Sequence, residues 1–520
     1  MISPSWWSVG PPNARRSAIT HDWRSSPLSR VRPKEIAVSP RGGHIPGLSS
    51  ARDARGDSLR LPWGLALGAL STIVVMAAGG HSVSAPVVLI SIDGLRAADV
   101  WNADRSGLRL PHLSRLRDEG TSASGVIGVR PSVTYPSHTT LVTGVSPSRH
   151  GILYNKPFDP LGRNGDGLYW YAEDIRVATL WDVASRAGLT TASVDWPVTV
   201  GAHISYDIVQ YGRAGEARRV DDPKLFRALS GRRLLAEAEH AVGPYPDGPT
   251  TTVEDDERRA AVSTYLLEAK RPRLHLAYFA ALDEAQHRGG PGSDTALRTL
   301  ERLDRVVGRL REAAERAGGG RAVVAVVSDH GFTRTDHELD LNEALRRAGL
   351  LQLDVEGRVR GWRAFTWGQG GAATVVLRNA RDVEARQRVR AVLSALSNEG
   401  PVERVVEMIP ARDGSPEAAF EVSLRSDTSL VDRRAGFVLR PVDPAGDHGH
   451  DPSGPEMDAT FLVAGPGVPR GRRLGRVDMR DIAPTLAVLL GVSLPDAEGR
   501  DLLATRPPPN APGSSSGHTE

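Results

Sequence analysis

Three unbroken apolar runs, each followed within a few residues by an aspartate, restrict what this chain can fold into. Pro86–Ile92 leads to Asp93, Leu274–Ala280 to Asp283, and Ala322–Val327 to Asp329. A strand with one wet face alternates apolar and polar residues. A strand that is apolar throughout is covered on both sides, as in a parallel sheet with helices on both faces. Helical patterns separate the runs: Asp294–Ala317 puts Leu297, Leu300, Leu303, Val307 and Leu310 on one stripe, and Gly318-Gly319-Gly320 stops it. Strand–helix alternation predicts an α/β fold with a mainly parallel sheet. Ligands in such folds gather at the carboxyl ends of strands, where the three aspartates fall.

Residues 335–445 change character, with short strand-like pieces such as Ala373–Leu377 and a helical stretch around Val383–Leu396. They read as an α+β subdomain inserted over the site. Phe461–Ala464 resumes the core as a strand and Ile482–Leu490 supplies a last helix. The catalytic domain therefore runs over 86–505, and a Pro- and Ser-rich tail, 506–520, is expected to be disordered.

Of 520 residues none is cysteine, which excludes disulfides and Cys-based zinc sites, so any metal must rest on His, Asp and Glu. Heavy use of Arg, Ala and Gly reads as a base-composition bias of bacterial type. The formal charge is +3, but residues 1–60 hold ten Lys/Arg against four Asp/Glu. The arm thus carries about +6 and the rest about −3. The basic balance belongs to the arm, so no stable nucleic-acid complex is expected of the body. Residues 1–60, rich in Pro, Ser, Gly and Arg, are expected to be disordered. From 61 to 78 there is no charge, and Val83-Ser84-Ala85 resembles a signal-peptidase site. Segment 61–85 reads as a signal peptide or a signal anchor, with a buried helix as the alternative. The charge step across it predicts an extracytoplasmic body, membrane-anchored or secreted.

Four short segments carry the chemistry: Ser91–Gly94, Asp283–His287, Ser328–Gly331 and Gly446–Gly449. Asp93, Asp283, Asp329, His287, His330 and His448 could hold two divalent cations at the roughly 3.5–4 Å spacing of two-metal phosphatases. Asp283 and His287, four apart, share a helix face. Asp329 and His330 would point apart on a strand, so the chain must turn there, with Gly331 to permit it. His450 is as good a ligand as His448 by spacing alone. Thr134 offers a hydroxyl just before a helix opening at Pro136, beside free N–H groups that favour anions; Ser132 and Ser137 are rivals.

Thr134-Tyr135-Pro136-Ser137-His138, continuing through Leu141–Gly144 to Arg149–Asn155, resembles the nucleotide pyrophosphatase/phosphodiesterase family of the alkaline phosphatase superfamily, over about 87–490. The resemblance implies a phosphodiesterase or nucleotide pyrophosphatase with two divalent ions, zinc by preference. Thr134 would be the nucleophile, passing through a phosphothreonine, and the Asn155 amide would steady a phosphoryl oxygen. Asp93, Thr134, Asp329 and His330 would hold one zinc; Asp283, His287 and His448 the other, which selects His448 over His450. Tyr135, Lys156 and, through the Trp196-Pro197 segment, Tyr206 are substrate-side candidates for a small nucleotide or phosphodiester. Ala281-Leu282, Gln286 and His450 depart from the family's pattern, and the sulfatase signature is missing. A phosphomonoesterase or phosphonoacetate-type hydrolase is the alternative on the same metal core, and a membrane-tethered binding protein with an inactive site a remote one.

Overall fold

The computed structural model describes residues 85–213, 218–408, 417–434 and 436–504. The basic arm, the apolar run at 61–78 and the tail from 506 lie outside the described residues. Among those described, no helix is long and apolar enough to cross a membrane.

The three apolar runs are strands buried at every position: β1 is Val87–Ile92, β5 Leu274–Phe279 and β6 Val323–Val327. Between β1 and β5 in the chain come β2 (Thr121–Ile127), β3 (Thr191–Val194) and β4 (Tyr206–Ile208). All join one eight-stranded sheet, in the order Arg472–Asp478, β2, Phe461–Ala464, β6, β1, β5, β3, β4. Only Phe461–Ala464 runs antiparallel to its neighbours. From β6 to β4 the five strands are parallel, with Ser91 level with Val327, Ile92 with Phe279, and Val194 with both Ala277 and Ile208. Their carboxyl ends therefore form one row. The fold is α/β with a mainly parallel sheet, as the apolar runs require.

Six helices matter for the site: α1 (Thr134–Thr143), α2 (Val253–Lys270), α3 (Ala281–Gly289), α4 (Asp294–Ala317), α5 (Val383–Glu399) and α6 (Ile482–Leu490). One sheet face packs Leu89, Leu276 and Ala325 with Ile482 and Leu486 of α6. The other packs Ile90, Ala277 and Val326 with Leu300, Leu303 and Val307 of α4, on the predicted stripe. The Ser293 side chain caps α4 by accepting from Ala296 N.

After β6 the chain leaves the main sheet. Strand Thr333–Leu339 pairs antiparallel with Leu439–Asp447, so that Thr333 faces Asp447. This pairing brings two Asp-His pairs, 329–330 and 447–448, together from opposite ends of a long excursion. Within the excursion, strands Ala364–Gln369, Ala372–Leu377, Glu417–Leu424 and Val402–Glu407 make an antiparallel sheet under α5, with its own core around Val375, Val389, Leu393 and Phe420.

Candidate metal centre and active-site cavity

The first ligand group forms where β1 and β6 end side by side. Gly94, in the left-handed region at φ 69°, turns the chain after Asp93, and its N–H donates to Asp329 Oδ1 at 3.2 Å. Tyr278, at the end of β5, donates its hydroxyl to Asp93 Oδ2 at 2.5 Å. His330 Nε2 stands 3.3 Å from Asp93 Oδ1 and 3.1 Å from Asp329 Oδ2. Gly331 has no left-handed backbone. It is there for close approach: a Cβ would lie 2.2 Å from the Glu456 carbonyl oxygen.

The second group forms on α3. Asp283 and His287 share one face of it, with His287 Nε2 3.4 Å from Asp283 Oδ2. His448 Nε2 reaches to 3.6 Å from Asp283 Oδ1, and its ring stacks on His330 at 3.7 Å between centroids. The two groups are thus contiguous, and Asp283 belongs with His330 as much as with His287.

Each imidazole is oriented by a backbone carbonyl: His287 Nδ1 lies 3.1 Å from Gly446 O, His330 Nδ1 3.0 Å from Gly331 O, and His448 Nδ1 3.3 Å from Ser132 O. A carbonyl only accepts, so each Nδ1 carries a proton and each Nε2 faces the carboxylates, the orientation metal-bound histidines take. Four of the converging atoms, Asp93 Oδ1, Asp283 Oδ1, Asp329 Oδ2 and His330 Nε2, are buried with no hydrogen-bond partner. Buried polar groups are seldom left so, and here they share one space. The electrostatics agree that the space calls for positive charge. Burial, then the Asp329 carboxylate, pushes Asp93 well above the usual range; burial, then Asp93 and Asp329, does the same to Asp283. Burial pulls His330 down, but Asp329 and Asp93 outweigh it and hold the imidazole at about 9. Divalent cations fit this donor set of mixed nitrogen and oxygen.

Thr134 is the first residue of α1 rather than the residue before it, with Val133 as the cap. Thr134 lines a cavity of about 500 Å³ that also takes in Asp93, Asp283, His287, His448 and Asn155. Asn155 Oδ1 accepts from Tyr135 N at 2.8 Å, which leaves the amide's N–H₂ edge for the cavity. His138 braces this turn: its Nδ1 donates to Thr134 O at 2.8 Å, and Ser91 Oγ is 2.8 Å from its Nε2. The rivals Ser132 and Ser137 are fully buried outside the cavity lining. His450 also turns elsewhere, with Nδ1 3.1 Å from Thr333 Oγ1 and Nε2 3.0 Å from Thr428 O.

The substrate-side candidates are placed less uniformly. Tyr135 touches the cavity, but its ring is 4% exposed, packs on Ile152 and Val198, and has its hydroxyl on Gln210. Lys156 stands at the rim, tied to Asp166 at 2.7 Å. Tyr206 does not line the cavity: it opens β4, with Lys270 Nζ 5.5 Å from its ring centroid. Asp447 is a residue the sequence reading missed. Its carboxylate lies 3.8 Å from His287 Nδ1, and with His287 and His448 it forms a further ligand-like group. The repeated Asp-His pair was the signal for it. Gln286, a departure from the family's pattern, is buried under Gly94 and donates to its carbonyl at 2.9 Å, tying α3 to the turn after β1. A comparable cavity of about 510 Å³ lies beside the four-stranded sheet and holds none of the ligands.

The sequence profile of the type I phosphodiesterase/nucleotide pyrophosphatase family matches residues 87–437. The chain belongs to that family. Ectonucleotide pyrophosphatase/phosphodiesterase family member 1 of Mus musculus is 26% identical over 262 residues, 48% of this chain and 24% of that protein. The chain thus spans about a quarter of the length of that relative. Family member 7 of Homo sapiens is 24% identical over 84% of this chain and 88% of its own, and the venom phosphodiesterase of Naja atra 24% over 74% and 41%. Among solved structures, murine ectonucleotide pyrophosphatase/phosphodiesterase 5, an inactive variant in complex with AMP, superposes with a TM-score of 0.56 at 21% identity, covering 79% of this chain and 96% of that one. The human protein gives 0.55 at 20% identity, covering 78% and 95%. At that identity the likeness is one of fold.

Proposed function

We propose that this chain is a two-zinc phosphodiesterase or nucleotide pyrophosphatase that works through a covalent phosphothreonine on Thr134. The observation that carries the reading is the convergence of four unpartnered buried ligand atoms beside a threonine hydroxyl at a helix N-terminus. Asp93, Asp329, His330 and Thr134 would hold one ion, and Asp283, His287 and His448 the other, with Asp447 at its edge. Zinc suits this mixture of imidazole and carboxylate without thiolate. Bound there, the two ions would lower the pKa of the threonine hydroxyl and neutralise phosphoryl oxygens.

The chain's own groups do the rest. The Thr134 oxygen attacks phosphorus while the esterified alcohol or phosphate leaves, and water later releases the phosphoryl group from the threonine. The free N–H groups of the first turn of α1 and the Asn155 amide donate to the phosphoryl oxygens. Among the described residues the two cations on the wall already have carboxylate partners, Lys156 an exposed one in Asp166 and Arg213 a buried one in Asp222 at 2.9 Å. No unpaired Lys or Arg on the described wall meets the second charge of a monoester, which favours diesters. The charge step at residues 61–78 and the relatives' names, an ectonucleotidase and a venom enzyme, support a catalytic body outside the cytoplasm. Fractionation that finds the intact chain soluble in the cytoplasm would refute this location.

The deciding experiment is rapid quenching with a labelled nitrophenyl nucleotide diester. Label is expected on Thr134. Thr134→Ala should lose at least about 10³-fold in kcat with its metal content kept, and Thr134→Ser should retain measurable turnover. Label on another residue, or near-normal turnover by Thr134→Ala, would sink the nucleophile assignment. Clear preference for nitrophenyl phosphate would turn the reading to a phosphatase.

A further inference from the structure

The row of strand ends continues past the metal centre. Asp329 follows β6, Asp93 follows β1 and α3 follows β5; next along the row, Asp195 follows β3 and Gln210 lies just beyond β4. Both Asp195 and Gln210 line the same cavity as Thr134. Strands in a sheet are about 4.8 Å apart, so β3 stands roughly 10 Å from β1. A phosphodiester whose phosphorus meets Thr134 would lay its esterified alcohol toward this end.

The backbone here is unusual. Asp195 and Val198, neither of them glycine, are both left-handed, at φ 59° and 62°. Such conformations cost a non-glycine residue on the order of 1–2 kcal/mol and tend to mark functional sites. The turn sets a carboxylate, only 4% exposed, into the cavity wall. Its surroundings then hold it as an acceptor. Tyr135 donates its hydroxyl to Gln210 Oε1, so the Gln210 N–H₂ edge is left to bond Asp195. Arg259 Nε approaches Asp195 Oδ2 at 2.8 Å, but the same guanidinium also serves Asp256, at 2.7 Å. One buried cation is shared by two buried carboxylates. Burial pushes Asp195 up to about 7; Arg259 opposes the rise and Asp256 adds to it. An ionised carboxylate has about four acceptor positions. Gln210 and Arg259 occupy two. The Tyr135 ring is buried against Ile152 and Val198, and beside it this wall offers a hydrogen-bond acceptor.

We infer that Asp195, oriented by Gln210 and Arg259, is a specificity-determining residue that accepts a hydrogen bond from a hydroxyl or protonated amine on the esterified alcohol of the substrate. The inference rests on the phosphodiesterase reading. A buried acceptor left unpaired by an analogue lacking the donor rejects that analogue more strongly than an apolar wall could.

The test is a panel of p-nitrophenyl phosphodiesters whose second alcohol is a chain of three to six carbons ending in methyl, hydroxyl or ammonium. For the zinc-loaded wild type, kcat/KM for donor-ended esters of the fitting length should exceed that of their methyl-ended counterparts at least tenfold. The hydroxyl and ammonium arms tell an alcohol from an amine. Asp195→Ala, which removes the acceptor, should bring the ratio within about threefold of one, and Gln210→Leu should shrink it; melting curves check that each variant is folded. If Asp195→Ala does not fold, Gln210→Leu decides. A wild-type ratio near one, or a ratio kept in the folded variants, overturns the assignment. If no ester is cleaved, the phosphodiesterase reading falls with it; if all are cleaved alike, this inference falls alone.

Discussion

His448 and His450 sit two residues apart in one loop, both buried, and their ring nitrogens have opposite commitments. His450 has both nitrogens within hydrogen-bond reach of Thr333 and Thr428, whereas His448 keeps Nε2 toward Asp283. Replacing His448 by Ala should therefore cut activity by orders of magnitude and lower the bound metal, while His450→Ala should cost mainly stability. Equal losses of metal, measured by elemental analysis, would contradict the ligand assignment. His275 makes a different prediction. It is the second residue of β5, fully buried, with no hydrogen-bond partner for either ring nitrogen, and burial pulls it down to about 3. The unfolded chain would protonate it near 6.5, so the native state binds fewer protons between those values. Stability from this group is complete above about pH 6.5 and is lost as the pH falls towards 3, by on the order of 5 kcal/mol. His275→Leu should flatten that part of the stability–pH curve. Parallel curves for the two proteins in urea titrations across pH 4–7 would rule this out.

At the scale of elements, α3 is the critical part, because it carries Asp283 and His287 and its start is held by a single side chain. Asp256 of α2, fully buried, accepts from Ala281 N at 2.8 Å and Ala280 N at 3.3 Å, and pairs with Arg259. Asp256→Asn keeps the shape but breaks the ion pair. Arg259 keeps Asp195 as a partner at 2.8 Å, so the cost is that of the weakened charge-assisted hydrogen bonds, about 1–3 kcal/mol. The variant should unfold at lower denaturant and hold fewer than two metal ions per chain; unchanged stoichiometry would show that α3 is fixed by other means. Which elements could be foreseen follows from their surroundings. β1, β5 and β6 are covered on both faces, so their sequences are continuously apolar and legible. The candidate ligands Asp93, Asp283 and Asp329 follow them within a few residues, and the fold brings these side chains into neighbouring ligand-like groups. β3 and β4 are three or four residues long and partly polar, and left no period to read. Asp195 owes its place to a left-handed turn after β3, and Lys156 finds its partner Asp166 across a loop. Neither a backbone angle nor a loop partner is written in residue spacing.

At the scale of the molecule, three carboxylates are gathered in one buried space, so binding divalent ions and keeping the fold are linked. Ions that bind only the native state stabilise it by about 4 kcal/mol at a thousandfold excess over Kd. Chelation by EDTA should abolish turnover and lower the melting temperature by several degrees. Zinc should restore both, best among divalent ions. A melting temperature indifferent to EDTA would mean that the cluster tolerates its own charge, and full activity in metal-stripped protein would end the two-metal reading.

The pairing of Thr333–Leu339 with Leu439–Asp447, which delivers His448 to Asp283, also has a consequence in time. The ligands come from positions spread between 93 and 448. A chain leaving the ribosome from its N-terminus exposes Asp93 and Thr134 hundreds of residues before His448 exists. Thr134 is in hand early, yet the group around Asp283 cannot close until residue 448 has been made. A copy that stops short of residue 448 cannot assemble the full ligand cluster, whatever part of the sheet it has already folded.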